Sequence, residues 1–171
     1  MRNVEFKVEL RDPAIAKEVC RSLGAAFIGV IDQTDTYYRI PAGRLKKRES
    51  TLPGGGSEVE YIFYERPNTV APKLSMFKIY SPEQANERFG STPLPVLVIV
   101  VKRRTLYMLD NTRIHLDDVT GLGKFMEFEY LISKDNPIEE GRVKIAGLRQ
   151  AFAFAMGEPI DRSYSDMLLV E

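Results

Sequence analysis

Val4-Glu5-Phe6-Lys7-Val8-Glu9-Leu10, near the start of the chain, carries an ionised side chain at every second position and an apolar one between. Successive side chains of a strand point to opposite faces, so the stretch reads as a strand with one apolar and one charged face. The same period returns at Arg113-Ile114-His115-Leu116-Asp117 and at Glu127-Phe128-Glu129. A charged strand face is either a wet outer surface or the wall of a polar cavity, and the local pattern is the same for both.

The 171 residues, 44% of them hydrophobic, suffice for one domain with a real core and are too few to require two, so residues 1–171 read as a single domain. Lys and Arg number 24 and so do Asp and Glu, so no bulk positive field advertises nucleic acid or an anionic membrane, and neither is expected as a partner. A polyanion site must therefore be local. Cys20 is the only cysteine, which excludes an intramolecular disulfide and points to a reducing compartment. The first residues lack a signal-peptide apolar run, and the apolar stretch at 95–101 falls short of the roughly 20 residues that span a bilayer. A cytoplasmic protein is expected.

A strand is expected at residues 4–10, followed by a helix that Asp12 caps, Pro13 opens and Gly24 ends. Ile15, Val19, Cys20 and Leu23 form its expected buried stripe, so Cys20 reads as core packing. Residues 27–32 and 36–40 read as two closely joined strands and 44–49 as another. Pro53-Gly54-Gly55-Gly56 reads as a hairpin loop, because the Lys and Ser or Thr of a nucleotide-phosphate loop do not follow it. Further strands are expected at 59–66, 74–80, 94–109, 112–119 and 125–132, with turns at Asp110-Asn111 and Gly121-Leu122-Gly123. Ser81 and Gln84 make a capping box for a short helix, and Asn136, Pro137 and Glu139 open the longest one, with Val143, Ala146, Leu148 and Phe152 turned inward. Residues 163–169 read as a short helix or a tail across the body, with Tyr164 placed to order it over an opening. This order, without βαβ periodicity, gives an α+β class: a closed or strongly curled antiparallel sheet with helices outside. Closure would remove exposed edges and enclose a hollow.

Lys7, Lys46, Arg48, Arg66, Lys78, Lys102, Arg104 and Arg113 are basic residues that alternate on the expected strands. Two like charges 4 Å apart repel by about 4 kcal/mol at an effective dielectric of 20, so gathering them in one cavity requires water, counter-ions or a strongly anionic ligand. A polyphosphate suits such a cavity, since each phosphoryl group offers several anionic oxygens and Arg binds them in a bidentate fork. Exposed charged strands remain the other reading at this point. Glu5, Glu127 and Glu129, with Asp117, have the spacing of carboxylates on neighbouring strands that converge on one hard divalent cation, and such ions also bridge phosphate oxygens. His115, the only histidine, cannot build a multi-histidine zinc site and reads as a polar strand position.

Taken together in order and spacing, Val4-Glu5-Phe6-Lys7, Gln33-Thr34-Asp35-Thr36-Tyr37-Tyr38, residues 43–49, Arg113-Ile114-His115-Leu116-Asp117, residues 122–129 and Ser163-Tyr164-Ser165-Asp166-Met167-Leu168 resemble the CYTH proteins, or triphosphate tunnel metalloenzymes. That family includes class IV adenylate cyclases and thiamine triphosphatases. The resemblance runs over nearly the whole chain and implies a closed eight-stranded antiparallel β-barrel, a tunnel that takes a triphosphate end-on together with Mg2+ or Mn2+. By the same resemblance Glu5, Glu127 and Glu129 hold the metal. Asp117 either orients it or takes part in nucleophile activation, so that Asp117, Glu127 and Glu129 form the implied catalytic set. Lys7, Arg48, Arg66, Lys78, Lys102, Arg104 and Arg113 grip the phosphates, joined by Lys46. The family motif alternates Glu, Glu and Lys, whereas here those positions are Asn3, Glu5 and Lys7, so the first carboxylate is an amide and affinity for one of two metal ions is expected to fall. The implied activity is cyclase-like conversion of ATP to cyclic AMP and pyrophosphate. Hydrolysis of inorganic triphosphate, thiamine triphosphate or a nucleotide is the alternative, and a non-enzymatic polyphosphate- or nucleotide-binding module the third reading. A homodimer is compatible with all three.

Overall fold

The computed structural model describes residues 1–169. In chain order the elements are β1 (Arg2–Leu10), α1 (Pro13–Ser22), β2 (Ala26–Tyr38), β3 (Arg44–Thr51), β4 (Ser57–Glu65), β5 (Lys73–Tyr80), α2 (Pro82–Phe89), β6 (Val96–Leu109), β7 (Thr112–Val119), β8 (Gly123–Leu131), α3 (Ile138–Ala151), β9 (Met156–Pro159) and α4 (Tyr164–Leu169). The strands form one antiparallel sheet in the order β5-β4-β3-β2-β6-β7-β8-β1-β9, and β5 also pairs with β1, which closes β1 to β8 into an eight-stranded barrel. One edge of β1 runs along β8, while its other edge is divided between β5, facing residues 2–5, and β9, facing Val8 and Leu10.

Closure resolves the ambiguity of the charged strands. Val4, Phe6 and Val8 of β1, Ile114 and Leu116 of β7, and Met126 and Phe128 of β8 pack into one buried cluster with Ala16 and Cys20 of α1, Ile145 and Leu148 of α3, and Phe152. Burial of each side chain of Phe or Leu size contributes about 1.5–3 kcal/mol, so the main core lies between the wall and its helices, and the charged faces turn into the barrel. A second cluster, including Tyr37, Tyr64, Val100, Val119, Phe125 and Tyr164, fills one end of the barrel beneath α4. Among the described residues no helix is long and apolar enough to cross a membrane.

Three expectations about elements change. Residues 26–38 form one strand, because the polar run Gln33-Thr34-Asp35 is paired on both edges, with β3 and β6, and the Gln33 and Asp35 side chains face inward onto polar partners. In α1 Asp12 does cap, its Oδ1 accepting from the Ile15 amide at 3.0 Å, but Ala16 and Cys20 are buried while Ile15 and Leu23 are exposed. In α3 the inward residues are Gly141, Ile145 and Leu148, and Val143 is 74% exposed with Ala146 beside it on the outer face. A Cβ at Gly141 would stand 2.5 Å from the Tyr130 ring, so the helix approaches β8 most closely at this residue, and the contact fixes its rotation.

Candidate active site

The inward positions of the strands enclose a cavity of about 390 Å3. Antiparallel pairing carries the inward parity from strand to strand: Glu5 stands opposite Glu129, which stands opposite Arg113, and Lys7 opposite Glu127, which stands opposite His115. The segment after β9 covers one end. Lys7 Nζ donates to the Arg162 carbonyl at 3.2 Å, Lys73 Nζ to the Asp161 carbonyl at 3.1 Å, and Arg44 pairs with Asp166 of α4 at 2.6 Å. Tyr164 lies beneath this cover, with Lys7 Nζ 4.1 Å from its ring centroid. Toward the other end the lining includes Ile31, Leu52, Leu106 and Ile79 with Glu58 and Glu60.

Interior cations are held apart by interior carboxylates. Asp35, with no exposed surface, receives two hydrogen bonds from Arg48 at 2.8 Å each and one from Lys102 at 2.6 Å, and Lys46 stands 3.5 Å away. Burial works against its charge, yet Arg48, Lys102 and Lys46 hold its carboxyl well below the ordinary value of 3.8. Asp117 plays the same part for Arg104, in a fork of 2.8 and 2.9 Å, and also accepts the Tyr164 hydroxyl at 2.7 Å. Its carboxyl is held down to about 2, burial opposing and Arg104 prevailing. Glu5 pairs with Arg66. Lys7 lies 3.7 Å from Glu127, and burial lowers its ammonium to about 8 against the pull of that carboxylate.

On β7 and β8 three basic atoms converge. His115 Nδ1 lies 3.4 Å from Glu127 Oε1 and 3.4 Å from Glu129 Oε1, and it makes no hydrogen bond. Burial pushes the imidazole down to about 4, so it is neutral at pH 7. Burial and the neighbouring Glu127 push the Glu129 carboxyl up to about 8, while Glu127 is held low despite its burial, with the Lys7 ammonium 3.7 Å away. Beside them Asn3 donates through Nδ2 to Glu129 at 3.2 Å and leaves its buried Oδ1 without a partner. The two carboxyl groups and the unpartnered imidazole nitrogen bring ligand atoms within 4.8 Å of one another, and this donor set fits a divalent cation.

The model of the CYTH domain family matches residues 1–164. The chain belongs to the CYTH domain family. A Methanocaldococcus jannaschii protein named a "putative adenylate cyclase" is 24% identical to this CYTH chain over 98% of each sequence. The solved structure of the Pyrococcus horikoshii protein PH1819 superposes with a TM-score of 0.74 at 24% identity, covering 98% of both chains. A Hippeastrum protein described as a "putative adenylyl cyclase" that reveals a dominant triphosphatase activity superposes at 0.56 with 13% identity, over 98% of this chain and 94% of that one. These likenesses carry the tunnel fold, and enzymes of the CYTH family generally depend on a divalent metal.

Within the CYTH tunnel, Lys7, Lys46, Arg48, Arg66, Lys102, Arg104 and Arg113 all line the cavity, as do Glu5, Glu127 and Glu129. Lys78 does not join them. Lys73, Ser75, Phe77 and Ile79 hold the inward parity of β5, so Lys78 projects outward and is exposed, its Nζ 5.2 Å from the Tyr80 ring. Asp117 is inward yet committed to Arg104 and Tyr164, apart from the Glu127 and Glu129 pair. Asp35, Lys73 and the His115 nitrogen were missed as site groups. Counting in twos back from Tyr37 along β2 gives the parity of Asp35, but which cations it collects depends on pairing between distant strands.

Proposed function

We propose that this CYTH tunnel binds a triphosphate end-on with a divalent cation and catalyses attack on one of its phosphorus atoms. The observation that carries the reading is the gathering of two unlike clusters in one cavity: the cations Lys46, Arg48, Lys102 and Arg104 of β3 and β6, and His115, Glu127 and Glu129 of β7 and β8. Phosphoryl transfer needs mainly positioning and charge stabilisation, which this arrangement supplies without a covalent nucleophile. Arg48 and Arg104, locked in place by Asp35 and Asp117, grip phosphoryl oxygens, Lys46 and Lys102 neutralise them, and Arg113 closes the clamp. Glu127 and Glu129, with Glu5 nearby on β1, would hold the cation, Mg2+ or Mn2+, which would supply positive charge to offset the charge that develops during transfer.

The reaction we favour is cyclase-like. The ribose 3′-oxygen of ATP bonds to the α-phosphorus, the bond from that phosphorus to the bridging oxygen breaks, pyrophosphate leaves, and the hydroxyl proton passes to solvent or to a carboxylate. The apolar residues Ile31, Leu52, Leu106 and Ile79 at the uncovered end support it by offering a surface for an organic group beyond the phosphates. Hydrolysis is the second reading, supported by the triphosphatase activity named for the Hippeastrum protein of like fold. Incubating the protein with ATP, inorganic triphosphate or thiamine triphosphate under Mg2+ and under Mn2+, with products resolved by chromatography, tests both. Cyclic AMP with pyrophosphate supports the first, orthophosphate the second. No product from any substrate leaves a binding module.

A further inference from the structure

We infer that His115 is a direct nitrogen ligand of the tunnel cation and that, with Asn3 in place of a carboxylate, it tilts the site toward Mn2+ over Mg2+. The inference rests on the reading of Glu127 and Glu129 as a cation site and adds what this chain does with it. His115 is 3% exposed and its Nδ1 is equidistant, at 3.4 Å, from one oxygen of each glutamate, yet bonds to neither. An imidazole that served only to orient a carboxylate would donate to one oxygen at about 2.8–3.0 Å. A ring nitrogen 3.4 Å from one oxygen of each of two paired carboxyl groups, and bonded to neither, leaves all three groups short of a positive partner that a cation among them supplies. Ligand atoms at about 2.1 Å from an octahedral ion lie about 3 Å apart when adjacent, so the 3.4 Å separations need close by only a few tenths of an ångström.

The ion preference follows from ligand chemistry. Mg2+ favours oxygen donors in strict octahedral geometry and gives up water reluctantly, whereas nitrogen donors bind transition ions more readily, with Mn2+ the first of that series. Asn3 shifts the balance the same way, since an amide oxygen brings no charge to hold a hard ion, and its Nδ2 is already given to Glu129.

The test uses the untagged full chain loaded with Mn2+ alone and read by electron spin-echo spectroscopy. The chain has one histidine, so a 14N coupling that changes to 15N when only histidine is isotope-labelled belongs to His115. That coupling is expected. Competition between Mn2+ and Mg2+, followed by the free Mn2+ resonance signal, should show Mn2+ bound more tightly, and His115→Gln should weaken Mn2+ by at least about tenfold, a loss on the scale of metal-site mutations, while weakening Mg2+ less. Bound Mn2+ without histidine coupling, or equal losses for both ions, overturns the inference and leaves the glutamate site standing. Absence of any stoichiometric Mn2+ binding by the wild-type protein overturns the cation-site reading itself. Should His115→Gln fail to fold, the isotope experiment on the wild-type chain decides alone.

Discussion

Asp35 gathers Arg48, Lys102 and Lys46 around one carboxylate inside the barrel, which makes it the residue on which the cationic wall depends. Replacing it by Asn leaves three desolvated cations facing one another, and breaking a buried ion pair on one side typically costs about 3–5 kcal/mol. Asp35→Asn is therefore expected to lose stability of that order in denaturant unfolding. The pH dependence has a definite sign: the folded carboxyl lies below its ordinary value of 3.8, so its contribution is fully present above about pH 4 and fades as pH falls through the lower folded value. The stability gap between wild type and Asp35→Asn should hold steady from pH 7 to 5 and narrow only in stronger acid. A gap that closes between pH 6 and 5 would assign it to another group. Arg113 presents the opposite case, lining the cavity with no ion pair among the described residues, so it is free for a ligand. Loss of a charge-assisted hydrogen bond costs about 1.5–3 kcal/mol, so Arg113→Gln should weaken inorganic triphosphate by roughly ten- to hundredfold in calorimetric titration. An equal loss for orthophosphate would remove Arg113 from a clamp that spans several phosphoryl groups.

The period-two charges made the strands of the barrel readable, and the capping box at Ser81 and Gln84 appears as expected, each side chain bonded to the other's backbone. What period two leaves open is which strands meet, and that decided Asp35, while the assignment of Lys78 failed on parity that Lys73 and Ser75 already contained. The helix faces were less legible, because a residue too small to register in a hydrophobic pattern sets the rotation of α3. Gly141 packs against Tyr130, where an added Cβ would fall 2.5, 2.8 and 3.0 Å from three ring atoms. Alanine would gain about 1 kcal/mol in helix propensity, but the ring is buried on β8 and its wall backs onto the tunnel, and overpacking of this kind costs about 1–3 kcal/mol. Gly141→Ala should thus be net destabilising in thermal unfolding, whereas Gly147→Ala on the same helix, with nothing within 4 Å of the added carbon, should stabilise. Stabilisation by both would mean that α3 does not dock on β8 through Gly141.

As a whole the molecule is an inverted barrel, apolar outside under its helices and ionic within, and its closure rests on the join of β1 to β5. That join spans only residues 2–5 against 73–76, while β1 faces β8 over residues 3–9. Cations stand on both sides of it: Lys7 on β1, Lys73 on β5 and Arg66 just after β4, and the last two each disfavour the charge on Lys7. The consecutive carbonyls of Asp161 and Arg162 bridge the two lysines from above, and Glu5 answers Arg66. A join that is short and carries like charges should open at lower free energy than the rest of the wall, so backbone amides of residues 2–5 that pair toward β5 should exchange with deuterium faster than those pairing toward β8. Inorganic triphosphate, without metal, should slow this opening selectively, because an anion lying among Lys7, Lys73 and Arg66 replaces their repulsion by shared attraction. At a hundred times its dissociation constant a ligand bound only to the closed form adds about 2.7 kcal/mol, or roughly a hundredfold in exchange. Chloride at the same ionic strength should not match it. Exchange at residues 2–5 as slow as in the β1–β8 ladder, or a slowing by chloride as large as that by triphosphate, would show that the barrel does not open at this seam.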